Sequence, residues 1–378
     1  MATMAKKRIT ILLIVTSVFV LGYAFFSLWR IGTSLAPDFS VYYASALRLL
    51  HNQNIYAGHG MFTDFAGPPT MLIVFIPFTW LPYSVAQGAW IILSFSALLY
   101  SIWMIAILIK ESRWQWLLSA YILSFLLFPT RFTLGMGQVN LVAMALVLHG
   151  VVSLVQRKNN TGYVFITLSI ILKPQLLFLL VPMGISLGLP FIGSLLGLYG
   201  ACILGTIVVF GGGVWEGFVT RAFPMAAGFG DRGVYYNQSL SGALFRMLPE
   251  HIAAYATLIL SGLVGIGFIW YVMRHHSSLT GVLAISLPVL LLLDPLSWQH
   301  HYVFILPALA EIWKRMSTRR DMVLWILSLI LIGSNIKDPG SLQFGLLNGV
   351  ILSHVFWGNL IVLYLLVKNG STIQQAHL

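Results

Sequence analysis

Apolar runs long enough to cross a lipid bilayer recur along the whole chain, and they limit its possible folds more than any single motif does. The first run follows Lys6, Lys7 and Arg8 and reads KKRITILLIVTSVFVLGYAFFSLW. About 20 apolar residues cross a hydrocarbon layer of about 30 Å, so this run predicts a retained transmembrane helix. A cleaved signal peptide ending in the small residues SLA at 34–36 is the alternative, disfavoured by the long apolar core and by Pro37.

The remaining apolar runs predict an all-α polytopic membrane protein with roughly 12 transmembrane helices. They lie at 69–81, 87–109, 114–129, 138–156, 162–187, 191–211, 251–273, 278–296, 300–313, 321–336 and 343–367. Only 8% of the 378 residues are charged and 58% are hydrophobic, which excludes a water-soluble fold of this length. The short run at 69–81 is either re-entrant or a true crossing, and the second choice makes 162–187 one kinked span.

The formal net charge of +11 comes from small basic groups between apolar runs rather than from one patch. That distribution is typical of cytoplasmic loops and does not indicate a nucleic-acid surface. It places the two longest non-spanning segments, 30–68 and 212–250, together with 130–137 and the SWQHH turn at 297–301, on the external face. We therefore expect one membrane-embedded domain, 1–378, in the cell membrane with its active site outside. The single cysteine, Cys202, excludes an intramolecular disulfide framework.

The segment APDFSVYYASALRLL, residues 36–50, follows the first span. Its large apolar residues recur at 39, 43, 46 or 47, and 50, with Ser40 and Arg48 opposite, which predicts a short amphipathic helix lying in the membrane interface. Asp38 precedes these positions and has two interpretations. It caps the helix N-terminus, or it is a general base held at the membrane surface, and both can be true together.

Six segments, taken in chain order, resemble the membrane glycosyltransferases of family 87. They are PDFSVYYASALRLLHNQNIY, FAGPPTMLIVFIPFTWLP, GQVNLVAMAL, LKPQLLFLL, YNQSLSGALFRML and DPLSWQHHYVFILP. The resemblance implies a GT-C type fold and a polyprenyl-phosphate sugar donor, either mannose or arabinofuranose. It also implies that Asp38 matches the acidic base of the first external loop. Many relatives in the wider class carry two acidic residues there, whereas here Asp38 stands alone and Asp64 lies far downstream.

Lys173 interrupts an apolar run, and a lysine at the bilayer centre costs roughly 2.5–3.5 kcal/mol. We expect it to bind the donor phosphate, the alternative being a snorkelling lysine at a turn. His300 and His301 are expected to bind phosphate or a sugar hydroxyl, one lining the site while the other packs, with Asp294 orienting them. Adjacent histidines without further ligands at metal spacing predict no metal, and no other cofactor is implied.

Further polar residues are candidates for donor phosphate or sugar binding, each with a simpler alternative. Asn237, Gln238 and Ser239 also form a glycosylation sequon; Arg131, Gln138 and Asn140 lie where helix caps occur; and Asp231 and Arg232 are able to pair with each other. Tyr42, Tyr43, Trp215 and Trp298 are expected to stack on sugars or to join the aromatic belt at the interface.

The leading hypothesis is an inverting glycosyltransferase that moves a sugar, preferably mannose, from a polyprenyl-phosphate carrier to a glycolipid or glycan acceptor at the bilayer surface. The alternative is a lipid or small-solute transporter or flippase that uses the same polar residues, and a third is an inactive scaffold subunit. A transporter predicts related halves with polar residues near the midplane. The polar motifs here gather toward one face, which favours surface chemistry.

Overall fold

The computed structural model describes Gly22 and residues 36–56, 65–224, 232–275, 278–336 and 347–375. Every regular element in these ranges is a helix, apart from one isolated β-bridge between Asn237 and Trp298. The all-α prediction is therefore confirmed for this part of the chain. The first predicted span, apart from Gly22, lies outside the described residues, as do Asp64 and Asp231.

The helices are numbered here in chain order. They are α1 (Pro37–Leu50), α2 (Pro69–Leu72), α3 (Tyr83–Leu108), α4 (Trp114–Leu126), α5 (Phe128–Met136), α6 (Asn140–Val155), α7 (Asn159–Leu172), α8 (Leu180–Leu187), α9 (Leu189–Phe210), α10 (Gly213–Gly217), α11 (Leu240–Met247), α12 (Glu250–His275), α13 (Leu279–Leu293), α14 (Leu306–Arg315), α15 (Arg319–Gly333), α16 (Asn348–Leu352) and α17 (His354–Gln375). Three 3-10 segments, Ile73–Trp80, Pro174–Leu179 and Gln299–Ile305, and the π-helical turn Phe218–Ala222 join some of them.

Three of the described helices, α3, α9 and α12, are individually long and apolar enough to cross a membrane. Helices α4 and α5 make a fourth candidate if the pair, bent by 63°, is one span. In α9 and α12 only 11% of an 18-residue apolar stretch is buried. These two helices therefore present most of their apolar surface outward, as lipid-facing helices do. The full count of roughly 12 crossings stays a prediction.

Several predicted runs are broken into shorter helices, and proline explains the clearest break. Lys173 has φ −138° and ψ 86°, outside the helical region that a following proline disfavours, so the run at 162–187 is divided at Pro174. The run at 69–81 forms α2 and a 3-10 segment that contains Pro77, together too short to cross a bilayer alone. Residues 130–137, expected as a non-spanning loop, instead lie mostly in α5.

Helix α1 forms where the sequence predicts it, but its buried face differs from the predicted one. The buried large residues are Phe39, Tyr42 and Leu49, whereas Leu50 is 40% exposed and Ser40, expected on the polar side, is buried. Spacings of three and seven residues lie on one helix face, so the packed stripe is rotated from the predicted stripe. Whether α1 lies in the membrane interface stays a prediction.

Helices α6 and α7 pack closely because each carries a glycine at their crossing. A Cβ added at Gly150 would lie 2.6 Å from Ile166 Cγ1 and 3.0 Å from the Gly162 carbonyl oxygen. A Cβ at Gly162 would lie 2.5 Å from Leu154 Cγ. Small residues let helix backbones approach in this way, which is a common means of helix association in membranes.

Replacing Gly150 with alanine should therefore destabilise the fold by about 1–3 kcal/mol, the usual cost of overpacking. The added methyl would press on backbone atoms of α7 as well as on a side chain. Thermal unfolding of the detergent-solubilised variant measures the effect. Gly200→Ala is the matched control, because a Cβ there meets no atom within 4 Å. Equal melting temperatures for the two variants would contradict the close crossing.

Candidate active site

Asp38 lies in the first turn of α1, and a side chain about a hundred positions later holds its carboxylate. Gln138 Nε2 donates to Asp38 Oδ2 over 2.7 Å. The Tyr42 hydroxyl, one turn further along α1, donates to Gln138 Oε1 over 3.0 Å. The two bonds together fix which end of the amide faces the carboxylate. The predicted capping role of Asp38 is wrong, because Ala36 occupies the N-cap position.

Gly137 brings Gln138 to Asp38 by allowing α5 to end against α1. Its φ of 69° lies in the left-handed region, and an added Cβ would be 2.6 Å from Phe39 Cβ. Its carbonyl accepts a 2.9 Å hydrogen bond from Trp90 Nε1 of α3. Only glycine meets both the conformation and the space. Sequence reasoning missed Gly137 and Trp90, and the available signal was a glycine directly before Gln138.

The environment of Asp38 raises its basicity. Burial raises its pKa from 3.8 to about 6, while the Gln138 hydrogen bond and the Lys173 charge act in the opposite direction. Burial raises the pKa of a carboxyl group because it disfavours the charged form. A carboxylate with this pKa is ionised at neutral pH and is a stronger base than an exposed aspartate.

Lys173 is the cationic group of the site, and it lies against His301. Lys173 lies at the break between α7 and the following 3-10 segment, is 9% exposed, and its Nζ is 2.8 Å from His301 Nε2. This burial does not fit the snorkelling alternative. Lys173 also interacts electrostatically with both Asp38 and Asp294, so two carboxyl groups lie within electrostatic range of one ammonium group. The structure thus brings the predicted base and the predicted phosphate ligand into one cluster.

His300 is held by its backbone. Its carbonyl oxygen accepts hydrogen bonds from Thr133 Oγ1, over 2.8 Å, and from Asn140 Nδ2, over 3.1 Å. Its ring is buried beside Phe132 and Trp298, and within the described residues neither ring nitrogen has a hydrogen-bond partner. Asn140, predicted as a ligand or cap, and Thr133, which the sequence did not single out, therefore position the histidine turn.

The three residues of the NQS motif are buried, and most of their side-chain hydrogen bonds go to the backbone. Asn237 Nδ2 donates to the carbonyls of Arg232 and Pro295, Gln238 Nε2 donates to those of Tyr235 and Leu352, and Ser239 Oγ caps α11 by accepting from Gly242 N–H. These bonds join the segment before α11 to the histidine turn and to the region between α16 and α17. A ligand-binding role for Asn237, Gln238 and Ser239 stays a prediction.

Other predicted residues make contacts that do not involve Asp38 or Lys173. Tyr43 donates its hydroxyl to Leu81 O, Trp215 donates to Thr206 Oγ1, and Arg232 lies over the Phe245 ring. Arg131 is partly buried on α5. Among the residues that the structure describes, no three His, Cys, Asp or Glu side chains are grouped as metal ligands.

Comparison with known proteins assigns the chain to a family. Residues 65–295 match the model of glycosyltransferase family 87, a range that includes Gln138, Lys173 and Asp294. The chain belongs to glycosyltransferase family 87. This glycosyltransferase, with its long apolar helices, is an integral membrane enzyme, and the transporter alternative is set aside.

Two curated relatives of the glycosyltransferase have similar names. One is the polyprenol-phosphate-mannose-dependent alpha-(1-2)-phosphatidylinositol mannoside mannosyltransferase of Mycobacterium tuberculosis, 26% identical over 336 residues that cover 82% of this chain and 77% of the relative. The other is the polyprenol-phosphate-mannose-dependent alpha-(1-2)-phosphatidylinositol pentamannoside mannosyltransferase of Mycolicibacterium smegmatis, 29% identical over 258 residues. That match covers 64% of this chain and 59% of the relative.

Replacing Gly137 with alanine should reduce glycosyl transfer at least tenfold, because the methyl group would push α1 from α5 and separate Gln138 from Asp38. Initial rates of sugar transfer by purified enzyme measure the loss. Gly135→Ala in the same helix is the control, since a Cβ there meets no atom within 4 Å. Equal rates in the two variants would show that the close approach is not needed for activity.

Proposed function

We propose that the enzyme is an inverting mannosyltransferase, which moves mannose from a polyprenyl-phosphate carrier to a hydroxyl group of a mannosylated glycolipid. One observation carries the proposal: Asp38 and Lys173, 135 positions apart in sequence, interact electrostatically in one cluster. A base and a buried cation are the two groups that this transfer needs. The family and the names of the two relatives support the choice of donor and acceptor.

Asp38 is the proposed general base. Its carboxylate takes the proton of the acceptor hydroxyl while that oxygen forms a bond to the anomeric carbon of the donor sugar. The bond between the anomeric carbon and the phosphate oxygen breaks, and the electron pair leaves with the polyprenyl phosphate. Gln138 and Tyr42 hold the carboxylate in place, so little reorganisation is needed during the reaction.

Lys173 is the proposed partner of the leaving phosphate, on which negative charge builds as the sugar departs. A buried ammonium group stabilises that charge more strongly than a hydrated one, because the surrounding dielectric is low. His301, 2.8 Å from Lys173 Nζ, orients the ammonium group. Asn140 and Thr133 hold the turn that carries this histidine.

The proposed transfer inverts the anomeric carbon and takes place on the external face of the membrane. One base next to one leaving-group cation is sufficient for a single displacement, which inverts the anomeric carbon. The distribution of basic groups supports an external site. Labelling of a Gln53→Cys variant, in a Cys202→Ala background, by an impermeant maleimide in intact cells tests the location. An unlabelled cysteine that reacts after cell lysis would place the loop inside.

Asp38→Asn should lower turnover by about 10²–10⁴-fold and leave donor binding largely intact, because a positioned base contributes that much and the amide keeps the shape. The measurements are release of polyprenyl phosphate, affinity for labelled polyprenyl-phosphate mannose, and the anomeric configuration of the product by NMR. A thermal melt shows that the variant is folded. Near-normal transfer by folded Asp38→Asn enzyme would rule out the base role, and a retained configuration would rule out inversion.

The pH dependence follows from the pKa of Asp38, which is about 6. The base form exists above this pKa, so kcat/KM should fall as the pH drops through about 6. Gln138→Leu removes a donor that stabilises the carboxylate, which raises the pKa and moves this acid limb to higher pH. Tyr42→Phe, which removes only the bond to Gln138 Oε1, should move it less. An acid limb unmoved in Gln138→Leu would contradict the assignment.

A further inference from the structure

An open cleft of about 420 Å³ lies between the C-terminal end of α1 and the segment from Phe210 to Arg221. Its walls come from both long segments that the sequence places on the same face, 30–68 and 212–250. None of the groups proposed for proton transfer or phosphate binding lines it. The chemistry at Asp38 therefore leaves this cleft without an assigned role.

A packed aromatic contact joins the two walls of the cleft. The Tyr56 ring lies against Gly217, where an added Cβ would be 2.8 Å from Tyr56 Cδ2. The rings of Tyr56 and Phe218 have centroids 6.4 Å apart, and the Tyr56 hydroxyl donates to Gly67 O over 3.1 Å. Tyr56 is itself buried, so the walls are held at a fixed separation by core packing.

The side chains on the walls offer both donors and acceptors of hydrogen bonds. They include the amides of Asn52 and Gln53, the Glu216 carboxylate, the Thr220 hydroxyl and the Arg221 guanidinium, all on exposed residues. No ion pair joins Glu216 to Arg221 in the described structure, so neither charge is used up by the other. The apolar side chains of Leu49 and Val214 complete the lining.

This lining fits a neutral ligand with many hydroxyl groups. One acidic and one basic residue give no net charge, and the Glu216 carboxylate would repel a phosphate. Amides, a carboxylate and a guanidinium each bind hydroxyl groups, and the apolar patch matches the C–H face of a sugar ring. The chemistry differs from that around Lys173, where a buried cation suits an anion.

The cleft and Asp38 lie toward opposite ends of α1. From residue 38 to residue 50 the helix rises by roughly 18 Å, at about 1.5 Å per residue. A ligand that reaches both places must therefore be longer than one sugar. We infer that the cleft binds sugar units of the acceptor that are remote from the reacting hydroxyl, so that the enzyme recognises an extended glycan. This inference rests on the proposed function, which supplies the glycan acceptor.

The test measures binding directly, with α-linked mannose oligosaccharides from disaccharide to hexasaccharide as probes. Full-length enzyme in lipid nanodiscs is titrated by calorimetry. We expect the affinity to rise with oligosaccharide length. Glu216→Gln should weaken binding of the longest probe by about tenfold or more, since hydrogen bonds to charged groups contribute about 1.5–3 kcal/mol. Gln53→Ala should weaken it by about two- to tenfold, since a hydrogen bond between neutral groups contributes about 0.5–1.5 kcal/mol. Binding of the disaccharide should not change.

Glu250→Gln is the matched control, an exposed acidic residue at the start of α12 and outside the cleft. The substituted positions are exposed, so the variants should fold normally. Affinity that does not depend on probe length, or equal affinities for Glu216→Gln and Glu250→Gln, would overturn the inference.

The same titration separates this inference from the proposed function. Asp38→Asn should keep the length-dependent binding while it loses transfer, because Asp38 lies outside the cleft. Normal transfer by Asp38→Asn together with a Glu216-dependent affinity would contradict the proposed role of Asp38 and support glycan binding in the cleft. Lost transfer by Asp38→Asn, together with an affinity that does not depend on oligosaccharide length, would support the role of Asp38 and contradict glycan binding in the cleft.

Discussion

The approach of α1 to Gly137 is the contact on which the site depends. Without a side chain at Gly137, the Phe39 backbone and Cβ come close enough for Asp38 to meet Gln138. Trp90 fixes the same glycine from the other side through its carbonyl oxygen. Three helices thus meet at one residue that has no Cβ. The carboxylate is positioned by backbone packing, which is stiffer than positioning by a flexible side chain alone.

The helix break at Lys173 places a positive charge in electrostatic range of the Asp38 carboxylate. A continuous helix through 162–187 would carry this lysine along an apolar face, at a considerable energetic cost. Pro174 ends α7, and the ammonium group meets His301 with Asp38 and Asp294 in electrostatic range. Burying one cation near two acids offsets part of its desolvation. Asp294, from the other half of the chain, is thus a second acidic group in electrostatic range of Lys173.

The sequence predicted the features that depend on local pattern and missed those that depend on distant partners. Apolar runs, the interruption at Lys173 and the short helix α1 are local, and they appear in the structure. The rotated face of α1 and the partner of Asp38 are not local. Both depend on Gln138, which lies 100 positions after Asp38 and 96 after Tyr42 and bonds both side chains of α1. Asn140 has the same explanation, since its side chain holds the carbonyl of His300. The residue types identified these amides as candidate hydrogen-bonding groups, but tertiary packing determines which groups they bind.

The ionisation of Asp38 fits the proposed role as a general base better than a role in stability. Its pKa in the folded protein, about 6, lies above the ordinary aspartate value of 3.8. A group whose pKa is raised by folding contributes stability fully below its unfolded pKa and loses that contribution as the pH rises through the folded value. At neutral pH the ionised carboxylate therefore opposes folding. A residue retained only to cap a helix would have a lowered pKa in the folded protein and would stabilise the fold when ionised, because capping favours the charged form. Burial of an ionised carboxylate beside Lys173 is the arrangement expected of a base that must accept a proton near neutral pH.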